Sequence, residues 1–335
     1  MEFTREEIKK FLQGSDDEYL FNHAKDIREK YFSNEVYLRG IIEFTNHCEV
    51  NCNYCGLRKS NDKASRYSLT DEQIFNCVDT ILENGLGTIV FQSGENINDD
   101  IDRLVKIISN VKKEHDLAIT LSLGEHTTET YKKLKDAGAD RYLLRAETFN
   151  AKVYEKARPQ RKLSDRLQCL ENLKEIGFEV GSGFMVGLPG ETLDMLADNI
   201  ITLTEMDLDM IGIGPFISHP DTPFKNFPSG DYLLSLRTIA LVKILNPTAN
   251  MPATSAMESA KRGGRLESLK YGMNVLMPAV TPSDLKSNYN IYPGKNTYIK
   301  GDNEIVTIKN ILTESGYTYT GARGDSIKFK NRNKY

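Results

Sequence analysis

Residues 41–58 read IIEFTNHCEVNCNYCGLR. An apolar, aromatic and β-branched run, Ile41–Thr45, leads directly into Cys48, Cys52 and Cys55. Runs of that composition suit buried strands. The loop after a first strand separates the parallel α/β architectures. A doubly wound sheet would normally place a glycine-rich phosphate or dinucleotide loop there. Here the position holds three cysteines spaced C-x3-C-x2-C. A barrel puts its chemistry on such loops, at the C-terminal ends of its strands.

Downstream, short apolar runs alternate with amphipathic stretches. Strands are predicted near Ile41–Thr45, Thr88–Gln92, Ala118–Leu123, Arg141–Arg145, Glu179–Met185, Met210–Pro215, Met251–Thr254 and Asn274–Met277. Thr70 with Gln73 caps a helix that Gly85 ends, and other helices end at Gly138 and Gly177. Strands alternating with helices imply parallel βαβ units. Eight of them predict an α/β fold, a (βα)8 TIM barrel. Upstream, Thr4 with Glu7 and Ser15 with Glu18 have capping-box spacing. Leu20, Ala24, Ile27 and Tyr31 recur at helical spacing. Residues 1–38 are therefore expected to form a helical N-terminal extension. Residues 39–335 are expected to form the barrel with a C-terminal closing segment. The basic, polar tail Lys328–Tyr335 is expected to be a solvated end.

The chain has 335 residues, 43 Lys plus Arg, 47 Asp plus Glu and a formal charge of −4. With 39% hydrophobic residues a sizeable core is possible. The mild acidic excess argues against a nucleic-acid partner. No apolar run approaches the roughly 20 residues that cross a bilayer, so no membrane role is expected. The charged start, MEFTREEIKK, has no apolar segment behind it, so no signal peptide is expected and the location is read as cytoplasmic. Five cysteines are too few for a disulfide scaffold. Cys77 lies between Ile74 and Ile81, and Cys169 among Leu163, Leu167 and Leu170, where each reads as a small buried hydrophobe.

The clustered cysteines ask for a metal. Structural zinc wants four closed ligands, no second cysteine pair exists, and His47 is badly placed to be the fourth. A 4Fe–4S cluster normally takes four thiolates. Three would leave one iron open to a ligand that is not protein.

With an aromatic, Tyr54, before the last cysteine, this motif resembles that of the radical S-adenosylmethionine superfamily. The longer strings YCGLRKSN (54–61), QSGE (92–95), LSLGE (121–125), RYLLRAET (141–148), MVGLPGET (185–192), DMIGIGPFISHPDTP (209–223), PATSAM (252–257) and NIYPGK (290–295) resemble its FeFe-hydrogenase maturase branch. The resemblance runs from roughly residue 20 to 300. It implies one 4Fe–4S cluster on Cys48, Cys52 and Cys55. In this superfamily the open iron chelates S-adenosylmethionine, and reductive cleavage gives a 5′-deoxyadenosyl radical. Some maturases of the branch carry three further cysteines near the C-terminus. None follows Cys169 here, so a single cluster is expected.

The resemblance also implies residue roles. Tyr54 packs near adenine and cluster. Gln92, Ser93, Gly94 and Glu95 hold the methionine ammonium, Glu147 faces the ribose, and Arg166 takes the methionine carboxylate. Met210 and Ile211 line the adenine side. Arg145, Thr254, Ser255, Met277, Tyr289 and Tyr292 form the substrate side. Plainer readings exist for several. Arg145 and Glu147 alternate on one strand and could form a mere ion pair. Glu95 could be an acid ahead of a helix, and Arg166 a surface salt-bridge partner. Met210, Met277, Tyr289 and Tyr292 could be packing residues. His219 precedes Pro220 in a loop that Pro223 also stiffens, and reads as part of a rigid turn.

The function the resemblance implies is maturation of the hydrogenase active site. The substrate would be a small iron complex carrying cysteine, CO and cyanide ligands. The implied partners are other hydrogenase maturases, met transiently, and an external electron donor; a monomer is expected. A paralogue acting on an amino acid, as methylornithine synthase does, is the alternative. A non-catalytic iron–sulfur carrier is the third reading, and it leaves the S-adenosylmethionine contacts without purpose.

Overall fold

A computed structural model describes residues 3–96, 100–295 and 304–332. Nine strands occur among them: β1 (Glu35–Leu38), β2 (Gly40–Thr45), β3 (Thr88–Ser93), β4 (Ala118–Ser122), β5 (Arg141–Leu143), β6 (Glu179–Val186), β7 (Met210–Pro215), β8 (Val275–Leu276) and β9 (Thr318–Thr320). Strands β2 to β7 form one parallel sheet in chain order. Helices cross over between consecutive strands, as parallel pairing requires.

The sheet closes into a barrel through two irregular staves. Asn250 bridges Met210, Pro252 bridges Val275, and Ile41 bridges Ala279, all parallel. Ile41 N donates to Pro278 O at 2.8 Å, and Val280 N to Ile41 O at 2.8 Å. The predicted strand Met251–Thr254 is thus present only as bridged backbone. Pro252 has no N–H to extend the ladder. Arg141–Arg145 is likewise shortened to three residues, although Leu144 N still donates to Gly181 O.

The N-terminal extension departs from the all-helical expectation. Helices Arg5–Leu12 and Asp17–Phe32 form, the first with the Thr4–Glu7 capping box. The second is capped by Asp16 rather than Ser15. Its buried face is Leu20, Ala24, Arg28 and Phe32, one position along from Ile27 and Tyr31. Arg28 tolerates burial because its guanidinium donates to the Ser33 and Glu35 carbonyls. Residues 35–38 are then strand, not helix. β1 runs into β2 and pairs with β8 and β9.

Strand β9 and the segment after it plug the N-terminal end of the barrel. Arg323, Asp325 and Ser326 meet a buried network there. Arg141 bonds Glu179 at 2.7 Å and also pairs with Asp325. Ser326 N donates to Glu179 at 3.0 Å, and its hydroxyl to Asp209 at 3.0 Å. Arg39 and Asn250 both donate to Gly324 O at 2.9 Å. The described part of the tail lies in helix Ile327–Arg332, none of whose residues is buried. Lys328 pairs with Asp207 at 2.5 Å and Arg332 with Asp209 at 2.6 Å. Residues 333–335 of that tail lie outside the described residues. One end of the barrel is therefore filled with ion pairs, and the other end carries the loops.

Candidate active site

The loops at the C-terminal ends of the strands enclose a cavity of about 310 Å³. All three clustered cysteines line it, with Tyr54, Gln92, Ser93, Gly94, Glu95, Arg145, Glu147, Arg166, Thr254, Ser255, Met277, Tyr289 and Tyr292. Met210 and Ile211 do not. They begin β7, away from the loop-bearing end; the Met210 sulfur lies 3.3 Å from Arg39 in the barrel floor, and Ile211 is core. The part of β7 that reaches the cavity is its far end, Gly212, Gly214 and Pro215, continued by Phe216 and Ile217. The two residues named from the sequence thus stand at the end of β7 away from the cavity.

The cysteine loop is seated by backbone contacts that leave no room for side chains. A Cβ on Gly94 would lie 2.1 Å from His47 O and 2.8 Å from Cys48 Cβ. Glu49 N donates to Glu95 O at 2.9 Å, and Asn53 N to Ala157 O at 2.8 Å. Gly56 N donates to Ile291 O at 3.0 Å, which ties the loop to the segment carrying Tyr289 and Tyr292. Burial raises the Cys48 and Cys55 thiols above their usual values. A metal taking them as thiolates must displace those protons.

Glu95 lies at the centre of a buried charge cluster. Arg158 Nη2 donates to both its oxygens at 3.0 and 2.9 Å, and Arg166 Nη2 to one at 3.0 Å. Arg166 Nε faces Glu125 at 2.9 Å, and Arg161 Nη1 lies 3.5 Å from Glu125. Burial alone would raise the Glu95 carboxyl; Arg166 and Arg158 outweigh it and hold the group at about 2. Arg166 is 2% exposed, so it is no surface salt-bridge residue. A Cβ on Gly124 would lie 2.2 Å from Glu95 Cγ, so glycine there lets the carboxylate pass. Three arginines facing two carboxylates leave the cluster with a positive excess suited to an anionic group.

Arg145 and Glu147 face each other at 3.0 Å. The contact is electrostatic only: Arg145 Nε and Nη2 and Glu147 Oε2 are buried without a hydrogen-bond partner among the described residues. Glu147 has φ of 69°, a left-handed conformation rare outside glycine. Its backbone is held there by Glu147 N to Gly183 O at 3.0 Å and Met185 N to Glu147 O at 2.9 Å. Strain of this kind costs on the order of 1 kcal/mol and collects at functional sites. Nearby, Ser255 and Tyr292 hydroxyls meet at 2.7 Å, and Tyr289 OH donates to Ser93 O at 2.9 Å.

Three lining or neighbouring groups were not singled out from the sequence: Arg158, Glu125 and Lys295. Lys295 pairs with Glu43, a fully buried carboxylate on β2, and lies 4.6 Å from the Tyr289 ring centre. Glu125 and Lys295 end the strings LSLGE and NIYPGK, so the signal was there unread. Arg158 carried none. Cys77 and Cys169 stand apart from the cavity: Cys77 is buried, as expected, and donates to Val280 O, whereas Cys169 is half-buried against the core. His219 accepts from Asp221 N at 3.1 Å inside its turn, outside the cavity.

The residues fit a 4Fe–4S cluster better than a single ion. Among the described residues no three His, Cys, Asp or Glu converge as one ion would require. A cubane asks less, because each thiolate takes a different iron. The orphaned polar atoms beside the thiols fit a polar ligand such as S-adenosylmethionine.

Comparison with known proteins points the same way. The Radical SAM superfamily pattern matches residues 42–201. Over 297 residues the chain is 49% identical to the FeFe hydrogenase maturase subunit HydE of Thermotoga maritima, covering 88% of this chain and 85% of that one. It is 28% identical to 3-methylornithine synthase of Methanosarcina acetivorans, covering 80% and 76%. The crystal structure of methylornithine synthase (PylB) superposes with a TM-score of 0.83 at 23% identity, over 96% of this chain and 95% of that one. No described helix is long and apolar enough to cross a membrane.

Proposed function

Because the chain belongs to the radical S-adenosylmethionine superfamily, we propose that it matures the active site of FeFe-hydrogenase by processing a small iron complex. It is a radical enzyme using a 4Fe–4S cluster and S-adenosylmethionine, the family's cofactors. The 49% identity over 88% of the chain carries the reading. It falls to 28% for the amino-acid enzyme.

The chain's own residues divide the work. Cys48, Cys52 and Cys55 would hold the cluster, and when bound it supplies the electron that cleaves the sulfonium. Gln92, Ser93, Gly94 and Glu95 would take the methionine ammonium, Arg166 its carboxylate, Glu147 the ribose and Tyr54 the adenine edge. These assignments agree with the lining of the cavity. Arg166 already faces two carboxylates, so it would hold the ligand while Glu95 stays ionised.

Arg145, Thr254, Ser255, Met277, Tyr289 and Tyr292 would hold the substrate. Arg145 offers Nε and Nη2, which have no hydrogen-bond partner among the described residues, and Ser255 and Tyr292 offer hydroxyls. That set suits the anionic, hydrogen-bond-accepting ligands of a cysteine-bound iron carbonyl cyanide complex. An amino acid such as lysine would need an acceptor for its side-chain ammonium; on the substrate side Arg145 presents a cation, and the carboxylate facing it, Glu147, is taken by the ribose in this reading. The barrel floor is closed, so water is excluded from that side. Other hydrogenase maturases would supply the complex and receive the product, and an external donor the electron.

Activation of an unmatured FeFe-hydrogenase tests the proposal. The hydrogenase, prepared without this protein, is mixed with the other maturation factors, S-adenosylmethionine and reductant, with and without the chain. Hydrogen evolution that depends on the chain supports the function. No dependence would reject it.

A further inference from the structure

Arg158 touches both the cysteine loop and the Glu95 charge cluster. Its Nη1 lies 3.5 Å from the hydroxyl of Tyr54, a residue between Cys52 and Cys55 in sequence. Its Nη2 bonds both Glu95 oxygens. The helix that delivers it, Ala151–Ala157, is fastened to the cysteine loop at its end. Ala157 O accepts from Asn53 N at 2.8 Å, and Lys156 O from Asn53 Nδ2 at 2.8 Å. Arg158 is 5% exposed, lines the cavity, and keeps Nε buried without a hydrogen-bond partner among the described residues. Burial works against its charge, and the Cys52, Tyr54 and Glu95 positions outweigh burial, raising it well above the usual value.

This placement has two physical consequences. One guanidinium nitrogen meets both Glu95 oxygens while the other lies toward the Tyr54 hydroxyl, so the planar group spans the carboxylate and the cysteine loop together, which a point-like ammonium cannot do. A buried positive charge beside the cysteine loop also favours an added electron there, and weak screening makes the effect felt. Resting on the superfamily reading, we infer that Arg158 is a positioning residue with two separable effects. Its fork, held between Tyr54 and Glu95, sets the Glu95 carboxylate for the methionine ammonium, and its charge raises the reduction potential of the cluster.

Substituting this one side chain separates the effects. Arg158→Met removes charge and fork; Arg158→Lys keeps the charge and loses the fork; Arg158→Gln is a second neutral variant should the methionine protein take up no iron. Full-length proteins are reconstituted anaerobically and matched for iron content. The midpoint potential is read by EPR during a redox titration, and S-adenosylmethionine affinity from the change it causes in the reduced-cluster signal. The neutral variants should show a more negative midpoint and S-adenosylmethionine binding weakened about 10- to 100-fold, as for loss of a charged hydrogen bond. The lysine variant should return close to the wild-type midpoint while binding remains weakened about tenfold. Neutral variants with wild-type midpoint or wild-type affinity at full iron content would overturn the inference. A wild-type signal that ignores S-adenosylmethionine would instead reject the underlying reading, and the inference with it.

Discussion

Glu95→Gln should destabilise the protein even without its cofactors, because the carboxylate neutralises buried arginines. Arg166 and Arg158 hold the Glu95 carboxyl at about 2, below its usual 4.5. That depression favours the ionised form by on the order of 3 kcal/mol. Glutamine keeps the shape but leaves Arg158 buried with no carboxylate partner. Arg166 retains Glu125 at 2.9 Å, which recovers part of the loss. The expected cost is about 2–3 kcal/mol, near the low end for breaking a buried pair. It is measured as the shift in the first urea-induced unfolding transition of the cofactor-free protein at pH 7. The double variant Glu95→Gln with Arg158→Gln should be less destabilised than the single one, since neither charge is then stranded. The pH dependence has a definite sign. A depressed carboxylate stabilises above its unfolded value and loses that contribution as pH falls through its folded value. Wild type and Glu95→Gln should therefore converge between about pH 4.5 and pH 2, with under about half of the Glu95 contribution left at pH 3. A loss under about 1 kcal/mol at pH 7, or a gap that does not narrow in acid, would refute the reasoning.

Other substitutions test the same geometry. Gly94→Ala should unseat the cysteine loop, since its Cβ would meet His47 O at 2.1 Å; iron content after reconstitution should fall severalfold, and full iron content would contradict the packing argument. Cys52→Ala should abolish cluster assembly, while Cys77→Ser and Cys169→Ser should leave the iron content at the wild-type level; an iron assay on all three decides. Tyr292→Phe removes the 2.7 Å bond to Ser255 and should cost about 1 kcal/mol of stability. It should slow consumption of the iron complex more than cleavage of S-adenosylmethionine, and equal slowing of both would move Tyr292 off the substrate side.

Much of the barrel was legible because its strands are apolar runs with punctuated helices between them. Gly85, Gly138 and Gly177 all take positive φ just past a helix end, as their positions suggested. The parts that escaped were short or tertiary. β1 comes after a helix with a single exposed turn between them, and β8 and β9 hold two and three residues, too few for a periodic signal. Pro252 broke the seventh stave without removing it. The floor network could not be read at all, since Arg141, Glu179 and Asp325 lie far apart in sequence. Among site residues, the strings after each strand reached the cavity because barrel loops converge there. Met210 and Ile211 failed because they stand at the opposite end of their strand. Arg158 was missed because its meaning lies in a contact with Tyr54 and Glu95, 104 and 63 residues distant.

Anaerobic turnover of the reconstituted, reduced protein tests the substrate most directly. S-adenosylmethionine is supplied with a cysteine-bound iron carbonyl cyanide complex in one reaction and with lysine in another, and 5′-deoxyadenosine, its adducts and the iron products are quantified. Consumption of the iron complex with formation of a new adenosyl species or iron product is the predicted result. Cleavage that responds to lysine and ignores the iron complex would contradict the account.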